Sequence, residues 1–128
     1  MAALGSACAA DMAHLSTHVL DTSLGRPAAG LEIRLSILEE GNSRHLKTAV
    51  TNADGRTDEP LLSGDRLTAG CYELIFGAGA YFRGIGVHLP DPPFLDEVIV
   101  RFGLSDGVRN CHVPLLLSPY GYSTYRGS

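Results

Sequence analysis

The chain reads as an all-β protein built as a two-sheet antiparallel sandwich. Short β-type runs recur along most of its 128 residues, each closed by a turn signal. No stretch sustains a helical period of apolar residues. One run, Leu31–Leu38, sets Leu31, Ile33, Leu35 and Ile37 against Glu32, Arg34 and Ser36, the alternation of a half-buried strand. About seven such strands in a chain of this length suit a sandwich better than a helical or α/β fold.

Taken in order, His14–Asp21 is the first strand, and the loop Gly25-Arg-Pro-Ala-Ala-Gly30 follows. Leu31–Leu38 and His45–Thr51 form a hairpin around the turn Glu40-Gly-Asn-Ser43. Asn52-Ala-Asp-Gly55 is a further turn, with a short edge strand expected near Arg56–Asp58. Gly70–Phe76 is the next strand, and Ala78–Gly84 is the one short helix, in spite of its glycines. Pro90-Asp-Pro-Pro93 is a rigid break. Glu97–Phe102, Asn110–Leu117 and Tyr120–Arg126 complete the set, with the turn Ser118-Pro119 between the last two.

Composition excludes several functions. Apolar residues at 45% and charged residues at 19% fit a folded globular chain rather than a disordered one. A net charge of −4 disfavours nucleic acid or an acidic membrane as partner. No apolar run approaches the roughly 20 residues of a membrane span. Residues 1–12, rich in alanine and without a basic or strongly apolar segment, read as a loose leader before a domain of residues 13–128. The three cysteines, Cys8, Cys71 and Cys111, contain no CxxC pair, which points to reduced thiols in the cytoplasm.

The strand period locates the chemistry. In the first strand His14, Ser16, His18 and Leu20 share one face. In the penultimate strand Cys111, Val113, Leu115 and Leu117 make the core face, so His112, Pro114 and Leu116 point the other way. In the last strand Gly121, Ser123 and Tyr125 share a face. His18, His112, Ser123 and Tyr125 are thereby assigned to the outer face of one sheet, a polar surface able to line a pocket. Arg56 follows a tight turn that can aim its guanidinium at a carbonyl or oxyanion. Each residue has an ordinary alternative as an exposed or hydrogen-bonded structural side chain.

Other chemistries fit less well. His14 and His18 lie about 13 Å apart along a strand, too far to share one metal ion. Cys111 and His112 face opposite sides of the sheet and cannot act as a nucleophile–base pair. There is no GxSxG elbow, P-loop or GxGxxG fingerprint. His45 and His88, flanked by turns, are expected at the surface. Asp21 reads as a structural cap.

These residues also carry a resemblance. Leu15-Ser-Thr-His-Val-Leu-Asp-Thr22, Gly25-Arg-Pro-Ala28, Asn52-Ala-Asp-Gly-Arg56, Pro93-Phe-Leu-Asp-Glu-Val98, His112-Val-Pro-Leu-Leu-Leu-Ser-Pro119 and the closing Tyr125-Arg-Gly-Ser128 resemble the transthyretin-related 5-hydroxyisourate hydrolases. The resemblance covers residues 14–128. It implies a sandwich of two four-stranded sheets, a homotetramer, and a site on the outer face of one sheet. The implied reaction is ring-amide hydrolysis of 5-hydroxyisourate in urate degradation, with no cofactor and no metal. By position, the implied catalytic residues are His18, Arg56 and His112. His18 and Arg56 would also contact substrate, together with Ser123, Tyr125, Arg126, Gly127 and Ser128. Asn110-Cys111 departs from the family where many relatives carry an aromatic residue before His112. A transthyretin-like binding protein without hydrolase activity is the alternative.

Overall fold

The computed structural model describes residues 13–127; the expected leader 1–12 and Ser128 lie outside the described residues. Nine strands and one α-helix are described: β1 (His14–Asp21), β2 (Arg26–Pro27), β3 (Glu32–Glu39), β4 (Asn42–Val50), β5 (Leu62–Ser63), β6 (Gly70–Phe76), α1 (Ala78–Gly84), β7 (Val98–Leu104), β8 (Asn110–Ser118) and β9 (Gly121–Thr124). One sheet has the order β4-β3-β6-β7 and the other the order β2-β1-β8-β9, with β5 also paired to β1. Both β2 and β5 lie on the edge of β1 that β8 leaves free. β2 holds Leu20 and Asp21, while β5 holds His14 and Leu15. The second sheet is therefore four strands wide, with its outer column shared by two fragments.

Alternation in the sequence explains the core. Leu15 and Val19 of β1, Ile33 and Leu35 of β3, Leu74 and Phe76 of β6, and Leu115 and Leu117 of β8 have no accessible surface. Apolar burial of this kind is the main favourable term for such a fold, at roughly 25 cal/mol per Å². The β3–β4 pairing shifts register between Leu35 and Ser36, where Leu46 is skipped. The hairpin turn is tighter than expected: Glu40 and Gly41 alone link the strands, both with positive φ (53° and 81°). Helix α1 survives its glycines because Tyr81 and Phe82 are buried in the core, 6% and 1% exposed.

Three details differ from the sequence reading. Arg56–Asp58 is not a strand; the edge fragment lies at Leu62–Ser63, and Arg56 stays in the turn. Arg26–Pro27, read as loop, makes a two-residue ladder with β1. All pairings are antiparallel except β1–β8, which is parallel from His14↔Asn110 to Asp21↔Leu117. A parallel pair needs a long crossover, and here nearly the whole sandwich forms the connection.

Candidate active site

The parallel register positions the chemistry. Ser16 lies beside His112, and His18 beside Pro114. Along β1 the pattern of half-buried and buried residues alternates strictly, with His14, Ser16, His18 and Leu20 on the open side. On β8, Cys111, Val113, Leu115 and Leu117 are buried and His112 is half-buried. For β1 and β8 the outer face inferred from periodicity is therefore the face seen.

His112 is held on three sides. Its Nδ1 lies 2.8 Å from Ser16 Oγ. Its carbonyl accepts the Gly127 amide at 2.8 Å, an isolated antiparallel bridge that draws the chain end back across β8. Gly127 also packs against the imidazole: a Cβ there would stand 2.7 Å from His112 Cδ2. Only glycine allows this approach.

Arg56 is placed by a turn that Asn52 organises. Asn52 Oδ1 accepts the amides of Asp54 (2.9 Å) and Arg56 (3.2 Å), and Asn52 N–H donates to the Arg56 carbonyl at 2.7 Å. The turn is docked on β1 by Val19 N–H, which donates to the Gly55 carbonyl at 2.8 Å. Gly55 has φ +75°, and a Cβ would approach Val19 O to 2.4 Å. Glycine is thus required twice over, for conformation and for space.

A cleft of about 390 Å³ is lined by His14, Ser16, Arg56, Asn110, Cys111 and His112. That volume suits a small heterocycle. His112 has its pKa lowered by burial first, then by the Arg56 guanidinium and by His18. It is therefore neutral, with a free lone pair, at pH 7. Burial pushes the Cys111 thiol up, and Arg126 only partly offsets this, so Cys111 is no thiolate nucleophile. Among the described residues no three His, Cys, Asp or Glu side chains converge as a metal site. A second cleft of about 360 Å³, between Leu46 and Arg66, holds no imidazole.

Within one chain the structure gathers only part of the expected set. Arg56 and His112 meet in the cleft, and His18 sits on the same face about 7 Å further along β1 than Ser16. Ser123 pairs with Leu116. Tyr125 and Arg126 instead line a different groove, with Val100–Gly103 of β7. Gly127 touches His112, and Ser128 lies outside the described residues. The cleft adds His14, Ser16 and Asn110, which the sequence reading left without a role. The shared face on β1 marked the first two, but the β1–β8 register that brings Ser16 to His112 has no local sequence signal. His45 and His88 are exposed, as expected.

The fold and cleft define a β-sandwich protein with an imidazole–guanidinium site on the open face of one sheet. The chain belongs to the HIUase/Transthyretin family, whose model matches residues 15–127. It is 60% identical over 119 residues to a 5-hydroxyisourate hydrolase of Mesorhizobium japonicum, covering 93% of this chain and 95% of the relative. Among solved structures it resembles Klebsiella pneumoniae 5-hydroxyisourate hydrolase, with a TM-score of 0.73 and 39% identity over 90% of this chain and 99% of that one. It also resembles an (S)-allantoin synthase, with a TM-score of 0.85 and 42% identity over 91% of this chain, although it spans only 44% of that chain.

Proposed function

We propose that this protein hydrolyses 5-hydroxyisourate to 2-oxo-4-hydroxy-4-carboxy-5-ureidoimidazoline in urate degradation. The observation that carries the proposal is a neutral His112 and a cationic Arg56 facing one heterocycle-sized cleft. Relatives named for this hydrolase agree over nearly the full length of the chain.

The reaction adds water across the ring amide: a C–O bond forms at the carbonyl carbon and the C–N bond breaks. His112 takes a proton from the attacking water. Arg56 stabilises the negative charge that grows on the carbonyl oxygen. His18 gives a proton to the departing nitrogen, and the proton held by His112 then passes through solvent to recharge His18, so the enzyme ends as it began. The resemblance also gives Ser123, Tyr125, Arg126, Gly127 and Ser128 as substrate contacts, although in the single chain Tyr125 and Arg126 line the groove beside β7. No metal or organic cofactor is needed for this sequence of proton transfers.

We further propose a homotetramer whose copies cover the open face of β1 and β8, in the cytoplasm. The exposed Tyr120 of the β8–β9 turn, Phe94 packed on it and Tyr122 of β9 support burial of this sheet against another copy, and the free thiols of Cys71 and Cys111 suit a reducing compartment. The test is the ultraviolet decay of freshly generated 5-hydroxyisourate, followed with mass measurement across a dilution series. Decay well above the spontaneous rate, lost as the tetramer dissociates, is expected. Decay at the background rate with folded tetramer refutes the hydrolase and leaves the carrier reading.

Arg56 also sets the working pH range. Arg56→Gln removes a cation that lowers the pKa of His112, so that pKa rises. Because the neutral imidazole is the active form, the acidic limb of the kcat/KM profile is expected to move to higher pH, alongside a fall in rate. An unmoved limb would separate Arg56 from His112.

A further inference from the structure

We infer that Ser16 is a positioning residue for His112, committing Nδ1 to β1 and leaving Nε2 as the nitrogen that exchanges protons with substrate. This deepens the hydrolase reading and rests on it for the kinetic consequence.

Ser16 Oγ and His112 Nδ1 are 2.8 Å apart across neighbouring strands, 96 residues apart in sequence. The contact follows from the register that sets Ser16 beside His112, so both backbones fix it. Gly127 packs against the Cδ2 edge of the ring, so the hydrogen bond to Ser16 selects which of the two ring orientations is kept. With one nitrogen occupied and one edge blocked, Nε2 is the nitrogen left to the cleft.

A hydroxyl suits this role because its oxygen can accept from Nδ1–H in both charge states of the ring. While Nε2 is a base, Nδ1 carries the hydrogen and donates it to Ser16 Oγ. When Nε2 gains the proton from water, Nδ1–H still donates to the same oxygen. The hydrogen bond is thus kept through the cycle, and it strengthens as the ring becomes charged. A carboxylate in this place would hold the ring cationic more firmly; the neutral hydroxyl favours a base that stays unprotonated. The charged and titratable groups around the ring are Arg56 from the turn and His14 and His18 from β1.

The test uses Ser16→Thr and Ser16→Val, which have nearly the same shape and differ in the hydroxyl, with thermal melts to establish folding. Two-bond ¹H–¹⁵N spectra of the imidazoles, which need no substrate, are expected to find Nδ1 protonated in neutral His112 of the wild type and of Ser16→Thr. In Ser16→Val the two tautomers are expected to mix. In parallel, kcat of Ser16→Val is expected to drop about tenfold with KM changed less than about twofold, and Ser16→Thr to restore it. A His112 protonated at Nε2 in the wild type, or the same tautomer in all three proteins, overturns the assignment. So does an unchanged kcat in Ser16→Val when the wild type is active. If the spectra respond as expected but the wild type opens no substrate ring, the assignment of Ser16 stands and the hydrolase reading falls.

Discussion

His112→Ala is expected to lower kcat/KM for 5-hydroxyisourate by about 10²–10⁴-fold, the usual contribution of a positioned general base. The fold should survive, because the imidazole projects from the open face of β8 and is only half-buried. What disappears is the group whose lone pair is kept available by burial first, then by the Arg56 guanidinium and by His18. The loss should appear mainly in kcat, since proton transfer is a demand of the transition state rather than of ground-state binding. Ultraviolet decay of the substrate measures it directly. A drop smaller than threefold, in a variant with an unchanged melting profile, would move the base elsewhere, His18 being the next candidate on the same face.

Asp21→Ala is expected to cost about 3–5 kcal/mol of unfolding free energy, read from a urea midpoint at constant slope. Asp21 has no accessible surface. Its Oδ1 accepts the amides of Ser23 (3.0 Å) and Leu24 (3.2 Å) together with the Ser23 hydroxyl, and its Oδ2 accepts Tyr81 O–H at 2.8 Å. Removing the carboxylate strands several donors at the end of β1, and it unties α1 from that strand. Tyr81→Phe removes a single donor and should cost less, about 1–2 kcal/mol. The pair also has an alkaline signature. Tyr81 is pushed up to about 12 by burial, then by its hydrogen bond to Asp21 and the charge there. A phenol that holds its proton more tightly when folded stabilises the fold fully below its unfolded value near 10.0 and loses that contribution as pH rises towards about 12.

Much of this architecture was legible in the sequence because period 2 is a local property. His14–Asp21, Gly70–Phe76 and the helix Ala78–Gly84 have the bounds expected, and the core face of β8 is the one its alternation named. The open face of β1 and β8 followed from the same parity. What escaped was set by pairing. Nothing near Ser16 announces that it will lie beside His112, since a register between strands this far apart is chosen by the whole sandwich. The edge fragment was sought at Arg56–Asp58, but Asn52 spends its side chain on holding that segment as a turn. Tyr125, assigned by parity to the face of His112, borders the groove beside β7 once the strand ends at Thr124.

The parallel seam between β1 and β8 has a consequence for how the protein is made. Ribosomal synthesis delivers β1 first and β8 close to last, so the earliest strand waits through most of translation for its central neighbour. A nascent chain ending at Leu104 already holds all four strands of one sheet, β3, β4, β6 and β7, but β1 has only two short fragments to pair with. Such a chain exposes the apolar faces of a half-built sandwich, a species that invites chaperones or aggregation. It also lacks the proposed cleft, because His14, Ser16 and Arg56 come from the first half of the chain and Asn110 and His112 from its last fifth. On the proposed mechanism, catalytic competence arrives together with completed folding, and a prematurely released chain is expected to carry none of it.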